Sequence, residues 1–219
     1  MDKTPELLKT LPERIAPAHT ALLVVDMQND FCAKGGYVDA VMGRDVGGSV
    51  AVAQSIQSLV DAARRAGVFI VWVKAIYDPK YQSAPMLAKR DEMGLNDAVC
   101  CAEDTWGADW FMLDPGEGEP ELKKHRFSAF VGTPLEGLLR RRGIRSLVVS
   151  GVATNICIDS TLRDGFLRDY YIAVPSDCVG SANQELHEAT LKNVAFLFGD
   201  LTTGDALGAL WDAAAGANR

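Results

Sequence analysis

Short, uninterrupted apolar runs alternate along the chain with longer stretches in which apolar residues recur every three or four positions. The apolar runs predict five strands, at Thr20–Asp26, Val68–Val73, Ser146–Ser150, Tyr171–Pro175 and Val194–Phe198. The periodic stretches predict helices at Ser49–Ala66, Pro134–Arg142, Asn155–Arg168, Gln184–Lys192 and Asp205–Ala215. Residues 76–119 are rich in charge, glycine and proline, and show no clear periodicity.

Strands that are apolar throughout are buried on both faces, and their alternation with helices is typical of parallel βαβ units. We therefore expect an α/β protein with a three-layer, Rossmann-like fold, in which helices flank a mostly parallel sheet of about six strands. The domain is expected to span residues 19–219. Residues 1–18 are expected to form an N-terminal arm, for which a neighbouring subunit is one docking site.

Composition narrows the class of protein. A chain of 219 residues, 48% hydrophobic, fits one domain with a core of its own. Twenty-two basic against 29 acidic residues give a net charge of −7, which disfavours a nucleic-acid partner. No run approaches the ~20 apolar residues of a membrane span. The charged, proline-containing N-terminus is not typical of a signal peptide, and five cysteines without a C-x-x-C pair favour reduced thiols. We expect a soluble cytoplasmic protein without a membrane partner.

In parallel sheets, functional residues collect beyond the carboxyl ends of the strands. We therefore rank candidate catalytic side chains by whether they follow a predicted strand. Asp26 ends the first strand, Lys123 and Lys124 follow a short segment of mixed charge, and Cys157 lies where the third strand turns into a helix. Taken singly, Asp26 is also explained as a cap and Cys157 as a small buried hydrophobe. A thiol in the first turn of a helix is expected to have a lowered pKa.

Together, these residues match what a thiolate nucleophile requires: a base, a cation and backbone N–H donors for an oxyanion. They lie in three motifs, ALLVVDMQNDF at 21–31, KHRFSAF at 124–130 with GTPL at 132–135, and GVATNICIDST at 151–161. In this order and spacing, the motifs resemble those of the cysteine hydrolases of the isochorismatase-like superfamily, over about residues 19–200.

The resemblance implies a catalytic triad of Asp26, Lys124 and Cys157, with Lys124 favoured over Lys123 by its spacing to the SAF segment. It also implies a cis peptide bond before Ala153, an oxyanion hole formed by the backbone N–H groups of Ala153 and Cys157, and a homo-oligomer, commonly a tetramer. In the expected mechanism, Asp26 takes the thiol proton, Lys124 stabilises the thiolate, and Cys157 forms a thioester-type acyl-enzyme.

The same resemblance narrows the substrate. Histidines at 19, 125 and 187 lack metal-ligand spacing, so we expect no metal and no cofactor. Residues 151–166 look like the ureidoacrylate amidohydrolases, whereas residues 30–39 look more like biuret hydrolases, and N-carbamoylsarcosine amidases are neighbours. We therefore expect hydrolysis of a C–N bond in a small ureido or carbamoyl compound. The alternatives are an amidase for another small amide and a non-catalytic binding protein on the same fold.

Four further residues are candidates for substrate binding. Phe31 and Tyr77 follow the first two strands and are expected to wall the pocket, with core packing as the alternative. Arg126 is a candidate for binding a substrate carboxylate, with a structural ion pair as the alternative. Asn155, two residues before Cys157, either touches substrate or caps the helix.

Overall fold

The computed structural model describes residues 7–95 and 98–217, and its centre is a parallel sheet covered by helices on both faces. The strands are β1 (Thr20–Val25), β2 (Phe69–Ala75), β3 (Glu121–Lys124), β4 (Ser146–Val152), β5 (Tyr171–Pro175), β6 (Val179–Gly180) and β7 (Asp200–Thr202). The helices are α1 (Leu11–Arg14), α2 (Asn29–Cys32), α3 (Tyr37–Ala40), α4 (Ser49–Ala66), α5 (Ala84–Glu92), α6 (Leu135–Arg141), α7 (Asp159–Phe166), α8 (Gln184–Asn193) and α9 (Gly204–Ala217).

The sheet has the order β3-β2-β1-β4-β5-β7, with β6 paired to the end of β4, and its strand pairs are parallel. This confirms the α/β fold class, with seven strands where about six were expected. Because β1 lies between β2 and β4, the strand order reverses at β1. The crevice beyond the carboxyl ends of β1 and β4 is therefore the place where such folds bind ligands.

Two hydrophobic clusters, one on each face of the sheet, explain why β1 is apolar at every position after its first. Leu22 and Val24 belong to the cluster that includes Trp211 of α9, whereas Leu23 and Val25 belong to the opposite cluster. Successive side chains of a strand point to opposite faces, so a strand covered on both sides needs apolar residues throughout. All six residues of β1 are buried.

Several predicted elements have the expected bounds. Helix α4 spans Ser49–Ala66 and ends at Gly67, whose φ of 72° is the left-handed conformation that glycine adopts without strain. Strand β5 also has its predicted bounds. The expected helix at Asn155–Arg168 is instead a π-helical turn, Thr154–Ile158, followed by α7.

The prediction of a strand at Val194–Phe198 is wrong. These residues form a π-helical turn, and the strand follows it as β7. Phe196 is 84% exposed and Leu197 59% exposed, so this apolar run does not enter the sheet. An apolar run this short does not by itself distinguish a buried strand from a helical turn.

Among the elements that were not predicted, β3 and α5 have a clear physical reason. Strand β3 is a short edge strand of alternating exposed and buried residues, in which charged side chains mask the pattern. Helix α5 lies within the stretch 76–119 and buries no residue, so it has no apolar face to reveal it.

Residues 7–18 of the expected arm contact their own domain. Arg14 forms an ion pair with Asp200 at 2.9 Å, and Trp211 Nε1 donates to the carbonyl of Ile15 at 2.9 Å. Docking on a neighbouring subunit stays a prediction, and residues 1–6 lie outside the described residues. Within 7–95 and 98–217, none of the helices has the length and apolar character needed to cross a bilayer.

Candidate active site

Asp26 directly follows β1 and takes a backbone conformation that few residues adopt. Its φ is 56°, its N–H donates to the carbonyl of Val73 at 2.8 Å, and the residue is 0% exposed. Aspartate tolerates the left-handed region better than most residues, and such conformations cluster at functional sites. Alongside, Gly151 of β4 lies so close that a Cβ would overlap the carbonyl oxygen of Val25. Only glycine permits this approach of β4 to the end of β1.

Lys124, the last residue of β3, reaches the same point from the sheet edge. It is 0% exposed, and its Nζ lies 2.8 Å from Asp26 Oδ2 and 3.4 Å from Cys157 Sγ. The neighbouring Lys123 is exposed and pairs with Glu103 at 2.6 Å. Adjacent strand residues point to opposite faces, so only one of the two lysines can face the crevice. The structure brings Lys124, and not Lys123, to Asp26 and Cys157.

Cys157 lies on the π-helical turn that follows β4 and is 5% exposed. Its Sγ is 3.4 Å from Lys124 Nζ and 3.7 Å from the hydroxyl of Tyr77. The peptide bond between Val152 and Ala153 is cis, as the resemblance implied. The turn is also tied to α8, where His187 Nδ1 and Thr154 Oγ1 share a hydrogen bond of 2.8 Å.

The ionisation of this cluster follows from its burial. Desolvation and the neighbouring charge of Asp26 raise the pKa of Cys157 to about 12, an effect that Lys124 only partly offsets. The expectation that the helix dipole lowers the pKa of this thiol is therefore wrong for the unliganded site. A thiolate would place a second anion beside Asp26, around a single buried cation.

The pKa values of the other two members are also raised. Burial raises the pKa of Asp26 more than the ammonium of Lys124 lowers it. Burial alone would lower the pKa of Lys124, but Asp26 and Cys157 outweigh it, so the pKa of Lys124 is raised. At neutral pH Lys124 is therefore an ammonium and Cys157 a neutral thiol, and the pKa of Asp26 lies above its ordinary value.

The carboxylate of Asp26 retains unused acceptor capacity. Neither oxygen accepts a hydrogen bond of regular geometry from the described residues, and Lys124 Nζ contacts Oδ2 at 2.8 Å. Buried carboxylates normally collect donors from their surroundings. The lone pairs of Asp26 are therefore available to the thiol proton or to an N–H group of a bound molecule.

These groups lie at a cavity of about 440 Å³, a size that suits a small molecule. Asp26, Ala153 and Cys157 line it, together with three of the four residues predicted to bind substrate, Phe31, Tyr77 and Asn155. Asn155 does not act as a helix cap here, because its Oδ1 accepts a hydrogen bond from Ser181 Oγ at 2.7 Å.

Arg126 is placed apart from the other candidates. It is not among the residues that line the cavity, and its Nη1 donates to the backbone carbonyls of Tyr81 at 2.7 Å and His125 at 2.6 Å. Its own carbonyl accepts from Lys124 Nζ at 3.1 Å. The guanidinium therefore fixes the backbone around the lysine rather than facing the cavity.

Part of the cavity wall comes from residues that the sequence analysis did not select. Arg44 and Ser49 belong to the loop before α4 and its first turn, and His187 belongs to α8. Loop residues carry no periodic signal, so nothing in the apolar pattern identifies them. Thr154 lies within the third motif, whereas His187, which it contacts, lies outside it.

One cluster away from the cavity lining has the composition of a metal site. One carboxylate oxygen of Asp30 and the sulfurs of Cys100 and Cys101 lie within 4.8 Å of one another. The oxygens of Asp30 already accept from the backbone N–H groups of Cys101 at 2.6 Å and Tyr37 at 3.1 Å. These hydrogen bonds indicate that Asp30 has a structural role, in which it holds the two loops together.

Comparison with known proteins agrees with this geometry. The model of the isochorismatase domain matches residues 20–206. The ureidoacrylate amidohydrolase RutB of Enterobacter sp. (strain 638) is 38% identical over 217 residues, covering 90% of this chain and 93% of the relative. A RutB of Methylorubrum extorquens is 39% identical over 213 residues, covering 87% of this chain and 84% of the relative. A solved cysteine hydrolase from Pseudomonas syringae pv. phaseolicola 1448A is 28% identical, with a TM-score of 0.81 over 98% of this chain and 100% of that chain. The chain belongs to the isochorismatase family.

Proposed function

We propose that the protein is a cysteine amidohydrolase that cleaves a C–N bond of a small ureido or carbamoyl compound, without a metal ion. The observation that carries this proposal is the contact of three residues beside one cavity, which Asp26 and Cys157 line: Lys124 Nζ lies 2.8 Å from Asp26 and 3.4 Å from Cys157 Sγ. A carboxylate, an ammonium and a thiol in contact form a base, a charge stabiliser and a nucleophile. The relatives named ureidoacrylate amidohydrolase support the choice of a ureido group.

The first half of the mechanism forms an acyl-enzyme. Asp26 accepts the thiol proton as sulfur attacks the substrate carbonyl, and Lys124 stabilises the charge on sulfur until the S–C bond has formed. The backbone N–H groups of Ala153 and Cys157 are proposed to hold the oxyanion. Asp26 then gives the proton to the leaving nitrogen, and the C–N bond breaks.

The second half of the mechanism restores the enzyme. A water molecule takes the place of the departed amine, and Asp26 accepts its proton as the oxygen attacks the thioester carbon. The S–C bond breaks, and the proton held by Asp26 returns to sulfur. The raised pKa of Asp26 suits both halves, because a carboxylate with a raised pKa is a stronger base than an exposed one.

One cationic side chain of the cavity wall supports a substrate with an acid group. Arg44 is the one lysine or arginine among the lining residues of the described chain, and it forms no ion pair there. The neighbouring Asp45 accepts from the backbone N–H of Gly47 at 2.9 Å. In a chain of net charge −7, this guanidinium gives a carboxylate ligand a partner.

The test is ammonia release from a panel of ureidoacrylate-type acids, biuret, triuret, N-carbamoyl amino acids and plain amides such as nicotinamide, with Cys157→Ala as the blank. We expect turnover of at least one ureido compound, lost in the variant, and faster turnover of 3-ureidopropanoate than of the neutral 3-ureidopropanamide. Activity on plain amides alone would keep the triad and reject the ureido assignment. If no compound is turned over, the proposed substrate class is rejected.

A further inference from the structure

The hydroxyl of Tyr77 is the group beside Cys157 that the mechanism above leaves without a role. Tyr77 follows β2 and is buried, and its Oη lies 3.7 Å from Cys157 Sγ and 3.2 Å from Lys124 Nζ. The three functional side chains and this hydroxyl come from the ends of separate strands. From the sequence, Tyr77 was expected to wall the pocket, with core packing as the alternative.

The direction of these hydrogen bonds follows from the chemistry of the donors. An ammonium group has three N–H donors and no acceptor, so Lys124 donates to the hydroxyl oxygen of Tyr77. The hydroxyl hydrogen is then free to point elsewhere, and Cys157 Sγ is the acceptor within reach. The thiol proton is taken by Asp26, which leaves sulfur able to accept.

We infer that Tyr77 is a further catalytic residue, whose hydroxyl donates a hydrogen bond to the sulfur of Cys157 as the thiolate forms. Sulfur then has two donors, Lys124 and Tyr77, while the proton leaves toward Asp26. This hydrogen bond contributes most once sulfur carries a negative charge, because hydrogen bonds to charged acceptors are stronger than those to neutral ones. The ionisation state of Tyr77 agrees with this role as a donor. Burial raises the pKa of Tyr77 well above its ordinary value, so the hydroxyl keeps its hydrogen.

The position of the hydroxyl is fixed from several sides. The ring of Tyr77 makes edge contacts with Phe31 and Phe127 at centroid distances of 6.4 Å each. Its backbone N–H donates to the carbonyl of Cys101 at 3.4 Å, and its carbonyl accepts from the side chain of Gln82. A phenylalanine at position 77 would keep these contacts and lose only the hydroxyl.

The test is Tyr77→Phe, read first by alkylation of Cys157 with iodoacetamide, which needs no substrate. Because Cys100 is only partly buried, the rate is followed at the Cys157 peptide by mass spectrometry. A lost hydrogen bond to a charged group predicts an alkylation rate about 10- to 100-fold lower at a given pH. Where turnover is measurable, kcat is expected to fall with little change in KM.

Tyr170→Phe is the matched control, since Tyr170 carries a buried hydroxyl with no partner among the described residues and lies away from the cavity lining. It should leave alkylation unchanged, and equal unfolding midpoints would show that both variants fold. An unchanged alkylation rate in Tyr77→Phe, or a change in KM alone, would overturn the inference. A silent substrate panel would reject the proposed function and leave the alkylation result standing.

Discussion

Two polar side chains, two residues apart after β1, are both 0% exposed and have opposite hydrogen-bonding states. Gln28 uses its whole amide: Nε2 donates to the carbonyls of Ala75 and Ala108 at 3.0 Å each, and Oε1 accepts from the N–H of Ala75 at 2.8 Å. Asp26 accepts no regular hydrogen bond from the described residues and contacts a single cation.

The difference separates a structural polar group from a reactive one. The bonds of Gln28 join the end of β2 to the stretch 76–119, and a fully satisfied buried network of this kind rigidifies the fold. Asp26 keeps its lone pairs for a ligand or a proton, at the expense of burying a carboxylate beside Lys124. Substitutions should therefore change activity at position 26 and stability at position 28.

The largest effect on activity is expected at Asp26. Asp26→Asn keeps the shape of the side chain but removes the base, so the thiol proton has no acceptor. Turnover should fall about 10²- to 10⁴-fold, the usual contribution of a positioned acid or base. Steady-state rates on the substrate found by the panel measure it, with circular dichroism to show that the fold is retained. A variant with more than about a tenth of the wild-type rate would mean that Asp26 is not the base.

The corresponding substitution at Gln28, whose amide is fully hydrogen-bonded, is expected to lower stability. Gln28→Leu keeps the volume but leaves the N–H and carbonyl of Ala75 and the carbonyl of Ala108 unpaired. Buried unpaired groups cost about 1–3 kcal/mol each and are not additive, so we expect about 3 kcal/mol less unfolding free energy. Denaturant titration measures it, with Gln57→Leu as a surface control, since among the described residues the amide of Gln57 bonds only to Asp61. If Gln28→Leu lowers the free energy of unfolding no more than Gln57→Leu does, the structural role of Gln28 is contradicted.

The burial of Asp26 also predicts a pH dependence. A protonated Asp26 cannot take the thiol proton, so kcat/KM should fall as the pH decreases through the pKa of Asp26. Because that pKa is raised by burial, the acid limb should lie closer to neutrality than the ordinary aspartate value of about 3.9. The pKa values of Cys157 and Lys124 are both raised, so no alkaline limb is expected below the ordinary lysine value of about 10.4. An acid limb at the ordinary carboxylate value would contradict this account.

The resemblance of the three motifs implies the contact between Asp26, Lys124 and Cys157, and two of these residues, Asp26 and Cys157, follow the carboxyl ends of predicted strands. The parallel topology, once inferred, brings those ends together. Ionisation could not be predicted in the same way. The dipole argument lowers the pKa of Cys157, and only the burial of all three groups around one cation reverses that direction.

Roles that depend on the direction of a side chain could not be predicted from the sequence either. Tyr77 was a candidate for the pocket wall, but its hydroxyl contact with sulfur depends on the path of the chain after β2. Arg126 lies in the second motif, yet its guanidinium bonds to backbone carbonyls. Spacing gives the place of a residue on its strand but not the partner that its side chain finds.

The smallest effect is expected at the neighbour of the buried lysine. Lys123→Ala removes an exposed ion pair with Glu103, and such pairs contribute about 1 kcal/mol or less. Lys124→Ala removes the cation in contact with the buried Asp26 and, on the proposed mechanism, the charge that stabilises the thiolate. The two variants delete the same side chain at adjacent positions, so composition and net charge are identical between them. Turnover should persist in the first and be lost in the second, while denaturant titration shows near wild-type stability for the first. Comparable loss of turnover in both would mean that the placement of the two lysines on opposite faces of β3 does not decide their roles.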